Sequence, residues 1–358
     1  MNGAFSVKDS TVGKGIAILL MLFHHLFNDY EEYAGYAVSY FPFSGDRLTY
    51  LAVLSKICVA VFVFISGYGI AASFGGLCRD GRLPGAGEVG RFVRRRYVRL
   101  MAAYWFAFAL TLVCQPLGRT IFDAYGTGLR VILACGAIDV LGLSFICGTP
   151  TLNPTWWYMS VALFVCAAAP LIVMLMKKVG STAAAAALFL TAASFFTEGI
   201  MVSYFVVMLA GIWCCETDLF GRVETLRQSS PAARRLVPAA EAVLLAVVML
   251  LWHDYNRFGL ADALAALLLL LLAAQVIVKI PVVSSLLGLL GRHSGNMFLM
   301  HNQLYSFYFL GFFYSFRHWA LILLVLTAVS LAVSVLMEYL KKLTHYNVLT
   351  AHLEGRTS

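Results

Sequence analysis

Long apolar runs recur along the whole chain, separated by short polar stretches, and this pattern sets the fold class. A helix that crosses a bilayer needs about 20 mainly apolar residues. The runs predict spans at roughly 13–30, 52–74, 97–116, 156–176, 181–197, 200–215, 237–252, 259–279, 294–315 and 319–341. The expected fold is an all-α, polytopic transmembrane helix bundle of about ten spans. A further apolar stretch, 130–147, carries Asp139 and several glycines and is predicted as a re-entrant or surface helix on the outer side. The first run begins at Ile16, carries His24 and His25, and reaches Asn28 and Asp29 without a small-residue cleavage site. It reads as the first span, not a cleavable leader. One membrane domain, 1–343, is expected, followed by a short polar tail, 344–358.

Composition supports the bilayer as solvent: 61% of residues are hydrophobic and only 12% charged, about half the charged share of an ordinary soluble domain. The net charge of +8 does not point to nucleic acid, because the basic residues lie between apolar runs. There they act as orientation charges and headgroup contacts. With the N-terminus in the cytoplasm and 130–147 not counted as a crossing, only Arg47, Lys56, Arg119, Arg130, Arg257 and Arg317 face outward. The remaining 20 of the 26 Lys and Arg (26 − 6 = 20) face inward. That bias places both termini in the cytoplasm, whereas a full crossing at 130–147 would invert the later loops. The eight cysteines show no CxxC and no metal-ligand spacing. Most fall in apolar runs, where cysteine behaves as a small hydrophobe. No metal site and no bound cofactor is expected.

Chemistry must then come from polar residues among the helices. Lys14 and His25 stand eleven residues apart on the first span, about three helical turns, so they share a face. An imidazole at such a place can take a proton from a hydroxyl; a capping lysine and a hydrogen-bonded histidine are the plainer readings. His24 points about 100° away and competes for the role. Arg94, Arg95, Arg96 and Arg99 open the third span. Guanidinium forks suit phosphate groups, although orientation charge alone also explains them. Ser66 lies beside Gly67 in VFVFISGYG, a close-packing signal. Trp156 and Trp157 fit an interfacial aromatic belt or the wall of a cavity. His293, Ser294, Asn296, His301, Asn302 and Gln303 crowd the ninth span, which implies a buried cavity or a hydrogen-bonded seam that could bring His301 to His25. His253, His318, His345 and His352 are expected to be inert.

Taken in order, KGIAILLMLFHH, FVFISGYGI, RRYVRLMAAYW, PTWWYMSVALF and LGRHSGNMFLMHNQ resemble the acyltransferase 3 family of bacterial integral membrane O-acyltransferases. The most specific element of the resemblance is the Lys/Arg-x10-His pattern on the first helix, matched by Lys14 and His25; Arg96 and Arg99 match the family's Arg-x-x-Arg. The resemblance implies a multi-pass protein of the bacterial inner membrane with acyl-coenzyme A, usually acetyl-CoA, as co-substrate. It further implies an essential role for His25 and donor contacts from the pair Arg96 and Arg99; the expected site adds Lys14 to the catalytic residues, Arg95 to the donor contacts, and Ser66, Trp156, Trp157 and His301 around a cavity. The implied acceptor is a hydroxyl of an envelope or exported carbohydrate or glycolipid.

Two positions depart from the family pattern. Ala60 stands where an acidic residue is frequent, with Asp29 or Asp46 as candidate replacements, and Ala102 or Ala103 replaces a common proline. A transporter or flippase of a glycan or lipid-linked intermediate is the rival reading, and a structural subunit of an envelope-synthesis complex a third. Neither inverted repeats nor paired broken helices favour transport in this sequence.

Overall fold

The computed structural model describes residues 5–78, 82–196 and 199–355, with the side chains of 253–255 left aside. Arg79, Arg356 and the side chain of His253, read above from the sequence, lie outside the described residues. Helices of eight residues or more begin with α1 (Val7–Phe27), α2 (Gly45–Leu54), α3 (Ile57–Phe74), α4 (Ala86–Val113) and α5 (Leu129–Val140). They continue with α6 (Trp157–Val179), α7 (Ser181–Phe195), α8 (Ile200–Glu216), α9 (Leu219–Gln228) and α10 (Ala233–Tyr255). The last are α11 (Leu260–Gln275), α12 (Pro281–Asn302), α13 (Trp319–Leu343) and α14 (Tyr346–Leu353).

Among the described residues, six helical segments are long and apolar enough to cross a bilayer: Val7–Phe27, Gly45–Leu77, Pro154–Val179, Ala233–Trp252, Arg257–Lys279 and Trp319–Leu343. The pair α8 and α9, bent by 59°, makes a seventh if it is one span. The all-helical, multi-pass class stands. The sequence count of ten also included α4, α7 and α12, and here the helices differ from the ideal. Arginines 91, 94, 95, 96 and 99 occupy the first half of α4, and α7 has only 15 residues. The segment 130–147 folds as α5 and one further turn, Ser144–Cys147. Twelve residues of helix extend about 18 Å, too little to cross.

Two boundaries moved, for local reasons. α1 starts at Val7, six residues before the predicted span, because Ser6 and Asp9 form a capping box. The Ser6 hydroxyl accepts from the Asp9 N–H (3.2 Å) and the Asp9 carboxylate from the Ser6 N–H (2.7 Å). α1 ends at Phe27, short of the predicted 30, so His25 lies in its last turn. α12 starts at Pro281, a residue suited to a first helical turn, thirteen residues before the predicted 294. It loosens after Asn302 into a π-helical stretch, Gln303–Tyr308, where the predicted span ran on. The tail is not simply polar coil either, since it contains α14.

The chain divides into two compact units, each assembled from separated segments. The first unit comprises Met1–Met21, Leu54–Gly90 and Val165–Arg292. Its core is the contact between α3 and α8, where small residues let backbones touch. A Cβ added at Gly67 would stand 2.6 Å from the Met208 carbonyl oxygen, and one at Gly211 would collide with the carbonyl of Phe64. α1 and α12 cross in the same way, Gly15 against the Leu287 carbonyl and Gly291 against that of Thr11. The second unit comprises Leu22–Val53, Arg91–Phe164 and His293–Ser358. It buries Met101, Tyr104, Phe108, Trp156, Leu299 and Met300 together.

The α3–α8 contact makes a direct prediction. Gly67→Leu overfills it and should cost about 1–3 kcal/mol, lowering the thermal unfolding midpoint of the detergent-solubilised protein. Gly69→Ala, whose added Cβ meets nothing within 4 Å, is the control on the same helix. Equal midpoints for the two variants would refute the close contact.

Candidate functional site

The second unit gathers the polar residues that the sequence scattered over several segments. The rings of His25 and His301 lie 5.0 Å apart between centroids. The last turn of a helix leaves carbonyls without intrahelical partners, and here two tyrosines supply donors. Tyr305 donates its hydroxyl proton to the His25 carbonyl (2.9 Å) and Tyr314 to that of Leu26 (2.8 Å). These bonds fix the end of α1, and with it the His25 ring, against the segment that follows α12. The competing His24 has its Nδ1 2.7 Å from the Ala52 carbonyl oxygen of α2, while its ring stays 5.1 Å from that of His25.

His301 is fully buried. Its Nδ1 lies 2.7 Å from the Phe298 carbonyl oxygen, which can only accept, so the ring proton is on Nδ1. Nε2 then carries a lone pair, and it has no hydrogen-bond partner. A buried polar atom in that condition costs about 1–3 kcal/mol, so the position is one where a polar group of a ligand would be welcome.

The segment 151–156 packs onto α12 beside this histidine. Trp156 donates Nε1–H to the Leu299 carbonyl (3.0 Å), and its ring meets Tyr104 edge-on at 5.0 Å. Asn302 donates Nδ2–H to Asn153 Oδ1 (3.0 Å). That segment is itself held by Asp139, a carboxylate only 1% exposed. Its Oδ1 accepts from Tyr104 (2.9 Å), Ser144 (3.0 Å) and Thr151 (2.9 Å). Its Oδ2 accepts from the Tyr125 hydroxyl (2.7 Å) and the Leu152 N–H (2.8 Å). Five donors replace the water that an ionised carboxylate would lose on burial.

The basic residues of α4 lie in the same unit. Arg94, Arg95 and Arg99 are exposed and Arg96 half-buried, its guanidinium 5.4 Å from the Phe92 ring centroid. Arg99 Nη2 pairs with Glu354 Oε2 at 3.1 Å. The tail brings that carboxylate: Tyr346 donates its hydroxyl proton to the Ala102 carbonyl (2.9 Å) and its ring lies 5.3 Å from Phe106. Arg99, Ala102 and Phe106 follow helical spacing, so α14 lies along one face of α4.

Several expectations need correction. Trp156 is core, not an interfacial belt residue, and its indole N–H is committed to Leu299. Ser66 gives its hydroxyl to the Phe62 carbonyl of its own helix (2.8 Å) and belongs to the first unit, as does Lys14. Trp157 is half-buried, 5.8 Å from Phe145. Asp29 and Asp46 are exposed while Ala60 is buried, so neither occupies the position of the missing acid. The charge of Asp29 bears instead on Glu32, whose pKa is raised first by burial and then by Asp29. Sequence reasoning treated Asp139 only as a reason to doubt a span and passed over Asn153. An acid inside an apolar run was the available signal for the first. Among the described residues, no group of three or more His, Cys, Asp or Glu could hold a metal ion.

A family model described as an acyltransferase domain, acyltransferase 3, matches residues 8–339, nearly the whole chain. No curated protein and no solved structure matches.

The Asp139 cluster yields a prediction of its own. Asp139→Asn turns one acceptor oxygen into an N–H₂ facing donors and should destabilise by about 2–4 kcal/mol. The readout is the thermal midpoint in detergent. A variant as stable as the parent would show that the carboxylate does not hold the 151–152 segment.

Proposed function

We propose a specific reaction for this chain, which belongs to the acyltransferase 3 family and is an acyltransferase: transfer of an acyl group, acetyl in the simplest case, from acyl-coenzyme A to a carbohydrate hydroxyl. The protein would sit in the bacterial inner membrane with about ten crossings and both termini cytoplasmic, the arrangement that the distribution of Lys and Arg favours. Its acceptor would be an envelope or exported carbohydrate or glycolipid.

The observation that carries the reading is the pairing of His25 with the buried His301, 5.0 Å between ring centroids. Acyl transfer to a hydroxyl needs a base that removes a proton as the oxygen attacks, and neutral imidazole is suited to that task near pH 7. His25 is the half-buried ring of the two, and the acceptor hydroxyl would deliver its proton there. His301 Nε2, a lone pair with no hydrogen-bond partner, would hold a hydroxyl of the acceptor in place. Arg95, Arg96 and Arg99 would draw the coenzyme A phosphates to the first half of α4. A planar fork binds a diphosphate through paired hydrogen bonds.

The test is thiol release from acetyl-coenzyme A by the purified chain in lipid nanodiscs. His25→Ala should lower kcat by about 10²–10⁴-fold. His24→Ala should cost far less, because that ring is engaged with Ala52. Full activity in His25→Ala would remove the proposed base.

The tail gives a second expected outcome. An incoming phosphate must share Arg99, half-exposed, with the buried carboxylate of Glu354, a pair worth about 1 kcal/mol, the upper end for pairs open to solvent. Glu354→Gln should therefore lower the KM for acetyl-coenzyme A by roughly twofold to fivefold with kcat little changed. A raised KM would mean that Glu354 supports the donor site instead of competing for it.

A further inference from the structure

Asn153 carries an unexplained donor. The residue is 0% exposed. Its Oδ1 accepts from the Thr155 N–H (3.1 Å), the Thr155 hydroxyl (2.9 Å) and Asn302 Nδ2 (3.0 Å). A backbone N–H can only donate, so the oxygen and nitrogen of this amide cannot be exchanged, and Nδ2 is pinned in place. Nδ2 itself has no hydrogen-bond partner. Capping the short turn Pro154–Trp156 accounts for the oxygen and leaves the N–H₂ unexplained.

That N–H₂ lies in the same unit as the two histidines, and its amide is held by the turn of α12 that carries His301. Asn302, which grips Asn153, follows His301 directly in the chain, and consecutive Cα atoms lie about 3.8 Å apart. His301 presents a lone pair with no partner and Asn153 a donor with no partner, both buried. A hydroxyl fits the first and a carbonyl oxygen the second. Gln303 Nε2 is also unpartnered, but no obligate donor fixes which way its amide points.

We propose that Asn153 is a substrate-touching residue of this site, its Nδ2 donating to the acyl carbonyl oxygen as that oxygen becomes negative. The proposal rests on the acyl-coenzyme A reading above. The acceptor oxygen attacks the thioester carbonyl carbon, a C–O bond forms, and the hydroxyl proton passes to His25. The carbonyl electron pair moves onto oxygen, where the Asn153 N–H₂ meets it. When that pair returns, the C–S bond breaks and the coenzyme A thiolate leaves with the proton from His25. A neutral donor held in advance favours the charged intermediate over the ground-state thioester. Asn302 is the positioning residue that holds the amide.

The experiment uses the full chain in lipid nanodiscs, with acetyl-coenzyme A as donor and methyl glucoside and bulk water as acceptors. Asn153→Asp keeps the accepting oxygen and is itself a good cap, so a purely structural Asn153 predicts activity near wild type. The proposal predicts a kcat lower by about 10²–10³-fold with the KM for acetyl-coenzyme A within about threefold. Asn153→Ser, which keeps an oxygen and lacks the N–H₂, should behave alike and serves if the aspartate variant does not fold. A folded variant with kcat within about threefold of wild type overturns the proposal. Misfolding of both variants overturns it as well, since the role of Asn153 is then structural. Failure of the underlying reading looks different: the wild-type chain itself would release no thiol.

Discussion

A carboxylate buried without water is the constraint on which this architecture turns. Asp139 is tolerated inside an apolar protein only because five donors reach it, and those donors come from four separate places in the chain. Satisfying the charge therefore fixes positions far apart in sequence. Tyr104 anchors α4, Tyr125 and Ser144 the connections on either side of α5, and Thr151 with Leu152 the segment leading to α6. Once Thr151 and Leu152 are held, Asn153 and Trp156 fall against α12, and they bond to Asn302 and Leu299. Between those two contacts on that turn lie Met300 and His301. An electrostatic requirement in one part of the second unit thus places an imidazole in another.

The partner imidazole is placed by different physics. α1 and α12 approach through glycines in the first unit, Gly15 at Leu287 and Gly291 at Thr11. Each histidine then follows ten residues later on its own helix (25 − 15 and 301 − 291). The tyrosine bonds to the carbonyls of His25 and Leu26 secure the far end. Such contacts matter because a general base a fraction of an ångström out of place loses much of its effect.

What could be read in the sequence divides along the same line. Helical class, membrane residence and the order of most spans follow from apolar runs, which report a local property of each segment. The His25 face and its approach to His301 were also within reach, because ionisable groups in apolar stretches are costly enough to be informative. The capping box at Ser6 and Asp9 was present in the sequence and would have corrected the start of α1. Hydrogen bonds between remote segments were not legible. Nothing local to Asp139 specifies Tyr104, and nothing local to Asn153 specifies Asn302, so the network that shapes the site stayed hidden while its members were visible. For Trp156 the two readings, belt residue and cavity wall, could not be separated for the same reason: a tryptophan beginning a span looks interfacial until the chain that covers it is known. The helix in the tail was missed because its hold on α4 comes from Tyr346 and Glu354 meeting residues 244 and 255 positions away.

The second unit combines two regions that treat water oppositely, and acyl transfer has reason to want both. On the proposed acyl-coenzyme A reading, the donor's phosphates would lose little by meeting arginines that remain hydrated, such as the half-exposed Arg99. The acyl carbon needs the reverse. Water near an activated thioester competes with the intended hydroxyl, and a dipole stabilises a nascent oxyanion better where water is excluded. His301 and Asn153 are both fully buried, and their unpartnered atoms bring the one polar requirement that such a dry place leaves open. α4 carries both Arg99, at its middle, and Tyr104 at Asp139 five residues on. A donor bound at the arginines and a carboxylate network supporting the transfer site would then share one rigid helix. This is an economical way to hold a polar coenzyme at the surface while its acyl end meets a site from which water is kept out.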